Sequence, residues 1–305
     1  MPLFPLKALS PESAALTMAS SGIALFSLMD VVMKGVSLEL GAYNAMFWRS
    51  AIGVIIAGLL FARSRPAWPG NVAIRLHVLR GLVLALMTFL FFWGLKYLPI
   101  AEAVSLTFIA PLIALYLARV LLHEAIGRSA VLASLTGLFG AAIIVAGRFS
   151  GQYDAEAGKG IAAILGSAVL YAFNLILQRQ QALVARPVEI AFFQNCVLLL
   201  VFGSLAPFFA VLPAAGIVPA LAAAAILSIV SLQMMAWSYA RATASILLPI
   251  EYTAFVWAAL FGWLVFDDRL TVTTLAGTLL IVIGCLTTAR QQPLVPQDAA
   301  DQTRS

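Results

Sequence analysis

Three ionisable side chains lie inside stretches too apolar to tolerate them by accident. Asp30, Arg49 and Glu251 each sit within a run of mainly Leu, Ala, Val, Ile and Phe. A charged group at the centre of a bilayer is penalised by roughly 2.5–3.5 kcal/mol on insertion scales, so such a group demands a partner or a task. Lys34 follows Asp30 by one turn on the same helical face. Arg49 is expected about 12 Å below the outer end of its helix, at 1.5 Å per residue. Asp30 is expected at a similar depth from the same side. Three readings stand for this pair. It is an ion pair fixing the first helix against the second, a site for the ammonium and carboxylate of a zwitterion, or a simple snorkel of the side chains to the interface. Glu251, two residues after Pro249, has no aligned base near it. It suits a proton-coupling role, or it is hydrogen-bonded to neighbours such as Gln194 or Asn195.

Other residues extend the candidate cavity. Thr107, Asn174 and Gln178 are uncharged polar groups inside apolar segments, as are Gln194, Asn195 and Gln233. They serve as helix-to-helix glue or as cavity lining. Trp93, Tyr97, Trp237 and Tyr239 stand near segment ends, as an interfacial aromatic belt would or as a wall that packs or gates cargo. Pro111 and Pro249 each remove a helix hydrogen bond and mark places where a helix lining a path could break.

The elements that must carry these groups follow from composition. The 305 residues are 63% hydrophobic with a mean hydropathy of +1.01, and 10% are charged, against roughly 25% in a soluble domain. So few charges cannot cover a water-facing surface, and lipid must face most of the protein. Segments of spanning length are expected at 14–36, 41–62, 77–97, 100–122, 129–147, 158–178, 188–211, 218–239, 244–266 and 271–288. In hydrocarbon the backbone must satisfy itself, and the alternation of a membrane barrel is missing, so the segments are read as helices. The expected fold is an all-α membrane protein with ten transmembrane helices.

Loop charge sets the orientation. With the N-terminus inside, twelve Lys and Arg fall on the inner side, Arg80 among them, and five on the outer. Both termini are therefore expected in the cytoplasm of a cell with the protein in its inner membrane. The net charge of +5 follows from the same bias, and no nucleic-acid partner is expected. The first segment reads as an uncleaved signal anchor. Cys196 and Cys285 lie within segments and read as packing residues. No metal and no cofactor are expected. His77 and His123 stand near loops, and no set of residues with the spacing of a hydrolase, a metalloprotease or a phosphate-binding loop is present.

An offset of 144 residues superimposes the two halves. Trp93 meets Trp237 and Glu124 meets Asp268, both at a spacing of 31 residues; Asp30 meets Asn174, and Lys34 meets Gln178. Five helices per half is an odd number, so the second copy must enter the membrane from the opposite side. The expected architecture is two inverted five-helix repeats, 14–147 and 158–288, followed by a cytoplasmic tail, 289–305. Such repeats are a recurrent plan of secondary transporters, with the cargo site between the halves.

The stretch 93–147, beginning WGLKYLPIAEAVSLTFIAP, resembles the EamA domain of the drug/metabolite transporter superfamily. Its marks are Trp93, small residues opening the fourth helix, Pro111, Glu124 and the glycines of the fifth helix. The stretch 237–284 repeats the plan, with Asp268 where Glu is usual and Pro249 six positions early in the aligned register. The resemblance covers nearly the whole chain. It implies ten helices around a central cavity and export of small metabolites, commonly amino acids. A nucleoside, polyamine or lipid-like cargo is the alternative, ahead of a membrane enzyme, and the expected partners are the bilayer and a small-molecule substrate, with the protein a monomer or homodimer. Glu124 and Asp268, with Arg128 and Arg269 nearby, read as surface pairs or caps. Gly137, Gly140, Gly277 and Gly284 read as points of close helix approach.

Overall fold

The structure, a computed structural model, describes residues 11–64, 68–98, 100–107, 109–122, 127–148 and 155–266, with single positions between 272 and 283. The expected tenth segment and tail lie largely outside the described residues. So do Glu124, Asp268, Arg269, Gly284, Cys285 and His123. The described elements are all helical. They are α1 (Pro11–Arg63), α2 (Asn71–Gly94), α3 (Ile100–Thr107), α4 (Ile109–Leu121), α5 (Arg128–Arg148), α6 (Ala155–Val184) and α7 (Pro187–Ser204). After them come α8 (Ala206–Phe209), α9 (Val218–Tyr239), α10 (Ala244–Leu247), a 3₁₀ turn (Leu248–Tyr252) and α11 (Thr253–Phe266).

The 53 residues of α1 are two helices joined at Gly41, whose φ of 77° and ψ of 152° break the helical path. That backbone region is closed to side chains with a Cβ, so glycine here sets the reversal between the first and second expected segments. Among the described residues five stretches are long and apolar enough to cross a membrane: Ser13–Arg63, Asn71–Gly94, Gly158–Val184, Pro187–Ser204 and Val218–Tyr239. Ile109–Leu121 and Ile250–Val265 are shorter apolar helices.

Two helices differ from expectation in ways that matter for the site. The third was expected to begin at 77 but begins at Asn71, after Gly70 in an extended conformation. Arg80, expected in an inner loop, is therefore nine residues into the helix, about 14 Å at 1.5 Å per residue. The sixth was expected to end at 178 but continues to Val184. The extra turns carry Gln181 into the protein.

Packing runs mainly between the halves. Helix α9 lies against α1, and α2 lies against α6 and α7. Under the 144-residue offset α9 is the counterpart of α2, while α6 and α7 are the counterparts of the two arms of α1, so these contacts are one arrangement made twice. Each is fastened by a serine. Ser231 Oγ donates to the Gly22 carbonyl at 2.6 Å, and Ser167 Oγ donates to the Met87 carbonyl at 2.9 Å. Hydrophobic association is weak between helices in lipid, and close packing with polar links takes its place. Gly53 shows how tight this is: a Cβ there would stand 2.2 Å from Asn195 Oδ1. Gly137 packs inside the protein in the same way, against the ring of Tyr252.

The segment between α7 and α9 is pinned to the second arm of α1. Trp48 Nε1 donates to the Val211 carbonyl at 2.7 Å, and the Val211 N–H donates to Asn44 Oδ1 at 2.8 Å. Tyr43 donates to the Phe202 carbonyl at 2.5 Å.

Candidate functional site

A cavity of about 160 Å³ lies where α1, α2, α3, α6, α7, α9 and α11 meet. Most of its wall is apolar, from residues such as Phe26, Leu84, Met87, Phe91, Phe92 and Met235. Set into that wall are Asp30, Arg49, Arg80 and Glu251, with Thr107, Asn174, Gln178, Gln194 and Ser228. Seven of the residues singled out in the sequence are thus brought together: Asp30, Arg49, Thr107, Asn174, Gln178, Gln194 and Glu251. Lys34, Trp93, Trp237 and Tyr239 are not on this wall. Trp93 packs edge-on against Tyr97 at 5.1 Å between centroids, and the Trp237 ring lies under the Arg241 guanidinium at 4.0 Å. Tyr239 stands one layer behind the wall and holds Glu251.

The repeat reappears in the cavity. Asp30 and Asn174 are equivalent at the 144-residue offset, as are Thr107 and Glu251, and all four face the same space.

Arg49 is 4% exposed, and its Nη1 donates to Ser228 Oγ at 2.9 Å. Its Nη2 meets only the Met46 sulfur, at 4.0 Å. Its Nε has no partner among the described residues, and neither does the buried Oε1 of Gln194. Asp30 is close enough for its charge to act on Arg49. Yet no ion pair within 4.0 Å joins these two described residues. Neither the ion-pair nor the snorkelling picture of Asp30 and Arg49 describes this geometry.

Glu251 is 4% exposed and stands in the 3₁₀ turn that follows α10. It accepts a hydrogen bond from Tyr171 at 2.5 Å and another from Tyr239 at 3.2 Å. Its partners are these hydroxyls, not Gln194 or Asn195. The Asn195 amide is turned back to the Ala191 carbonyl at 2.8 Å.

Arg80 is the residue that sequence reasoning missed. Its Nε donates to Asn174 Oδ1 at 3.0 Å, its Nη1 to Gln181 Oε1 at 2.7 Å and its Nη2 to Gln178 Oε1 at 3.0 Å. Three neutral amides on one helix hold a buried cation. The signal was present: Asn174, Gln178 and Gln181 stand at i, i+4 and i+7, a polar stripe on one helical face. Behind it, Gln181 Nε2 donates to His77 Nδ1 at 2.6 Å, and His77 Nε2 meets Glu189 Oε1 at 3.0 Å. His77, read as a residue near a loop, is buried in this network and stacks on Phe193 at 4.7 Å.

No group of three or more His, Cys, Asp or Glu that could hold a metal is found among the described residues. The arrangement offers charge of both signs in a small, mostly apolar chamber, which suits binding.

The model of the EamA-like transporter family matches residues 13–146 and again 158–290. The chain belongs to the EamA-like transporter family. It is a multi-pass membrane protein built from two EamA repeats. Among relatives, it is 28% identical to the pseudopaline exporter CntI of Pseudomonas aeruginosa over 269 residues, 87% of this chain and 92% of that protein. It is also 28% identical to a riboflavin transporter of Rhizobium johnstonii over 265 residues, 83% of this chain and 82% of that one. A solved crystal structure superposes with a TM-score of 0.77 at 19% identity, covering 93% of this chain and 100% of that chain. At that identity it attests the fold alone. The family and these relatives are transporters.

Proposed function

We propose that this EamA protein is a secondary transporter that exports small polar metabolites, amino acids foremost, across the cell inner membrane by alternating access. One observation carries the reading. Two carboxylates and two guanidiniums share the wall of one cavity, with no ion pair among them. A buried charge left unpaired is expensive, and a zwitterionic cargo supplies both missing partners. Asp30 and Gln194 Oε1 would receive the ammonium, and Arg49 Nε would donate to the carboxylate. Glu251 would carry the coupling proton, with Tyr171 and Tyr239 orienting its carboxyl. The relatives named for export and transport support the class of activity, and their two cargoes differ.

The reading includes ten spanning helices as two inverted repeats. The repeated packing of α9 on α1 and of α2 on α6 and α7 supports it. Moving Arg80 from loop to helix leaves eleven basic residues against five, which still favours cytoplasmic termini. The working unit is a monomer or homodimer. A flat heteroaromatic cargo is the second reading, favoured by Phe26, Phe91, Phe92 and Tyr171 on the wall.

The test is counterflow in proteoliposomes with radiolabelled amino acids and riboflavin, with and without an imposed pH gradient. Saturable exchange of an amino acid is expected. Glu251→Gln is expected to abolish the response to the gradient while the protein stays folded, and an unchanged response would remove Glu251 from coupling.

A further inference from the structure

The zwitterion reading uses Asp30, Gln194 and Arg49, and leaves Arg80 without a task. Arg80 is 3% exposed and lines the cavity. A guanidinium has five N–H donors and no acceptor. Three donors are committed to Asn174, Gln178 and Gln181, which leaves two. Among the described residues no carboxylate lies within 4.0 Å of it. Glu251, the other acid on the wall, is occupied by Tyr171 and Tyr239. If Arg80 served only to join α2 to α6, a neutral side chain would do so without burying a charge.

The amides behind Arg80 fix its plane, and their orientation follows from donor–acceptor logic. Arginine can only donate, so each amide must turn its oxygen toward Arg80. Gln181 then presents its NH₂ to His77, whose Nδ1 must accept. The ring proton is therefore on Nε2, where it points at Glu189 Oε1. The charged groups facing His77 are Glu189 on α7 and Arg80 on its own helix. The chain Glu189–His77–Gln181–Arg80 allows one assignment throughout, and it ends in a cation held in place at the cavity wall.

We propose that Arg80 is a second anion-binding subsite, and that the cargo is an amino-acid-like compound bearing a further carboxylate. This rests on the zwitterion reading and deepens it. One carboxylate and the ammonium meet Arg49, Gln194 and Asp30, and the second carboxylate meets the two uncommitted N–H groups of Arg80. Gln181 and His77 are positioning residues that act through Arg80.

Counterflow with matched pairs tests this: aspartate and asparagine, glutamate and glutamine, diaminopimelate and lysine. Members of each pair differ by one carboxylate charge or one carboxylate. The intact protein is expected to prefer the more acidic member of at least one pair by tenfold or more. R80Q is expected to reduce that preference below twofold, and R80K to reduce it as well, because lysine has three N–H donors and the three amides take them all. His77→Phe is expected to weaken binding of the acidic member more than of its partner. Exchange of both members of every pair with equal affinity by the intact protein overturns the second subsite and leaves the zwitterion site standing. An acidic preference that survives in folded R80Q also overturns the Arg80 assignment. No exchange of any amino acid overturns the zwitterion reading, and this proposal with it.

Discussion

The two arginines of the cavity are buried alike and built differently. Arg49 donates one hydrogen bond to a side-chain oxygen, Ser228 Oγ, and its Nε has no partner among the described residues. Arg80 has three amide oxygens and a second layer of His77 and Glu189 behind them. The loosely held guanidinium can turn to follow a ligand as the two halves rearrange. The tightly held one stays where α6 puts it. A cavity that must bind in one state and release in another can use one fixed and one yielding contact.

The largest effect that would sharpen this contrast is on stability. Arg80→Met would strip the donor from three amide oxygens, at roughly 1–3 kcal/mol per orphaned buried acceptor. Thermal unfolding in detergent should therefore show a loss of about 3 kcal/mol or more, and an unchanged melting temperature would break the comparison. Next is Arg49→Ala, which should leave the melt nearly unchanged and weaken cargo binding by about a hundredfold, since a charged hydrogen bond contributes roughly 1.5–3 kcal/mol. Equilibrium binding and a melt on one preparation separate the two. Gln181→Leu removes one of the three amides and the contact to His77. An effect of about tenfold on binding is expected, with a smaller fall in stability than for Arg80→Met. The smallest effect belongs to the serine links. Ser231→Ala or Ser167→Ala should each cost about 0.6 kcal/mol, the average for such interhelical bonds in membranes, and cargo exchange should continue.

Much of the fold was legible in the sequence because lipid leaves few options. Apolar stretches of spanning length must be helices, and the 31-residue spacing from Trp93 to Glu124 and from Trp237 to Asp268 exposed the repeat. Asp30, Arg49 and Glu251 stood out because each interrupts an apolar run. Arg80 was hidden by its place near a helix start, beside Arg75 and His77. A charge within three residues of an assumed boundary looks like a loop residue. Six residues of error in that boundary moved the second cation of the cavity out of view.

The sequence by itself determined the solvent, the helices and the twofold repetition, since all three depend on composition and order along the chain. Only the tertiary structure decided which polar residues share a cavity and which are partners. Asn174, Gln178 and Gln181 meet Arg80 across about a hundred residues of chain, at separations of 94, 98 and 101. Contacts of that range depend on how each helix is rotated about its axis. In lipid, rotation is set by close packing and polar links between helices, and neither is written in any one segment.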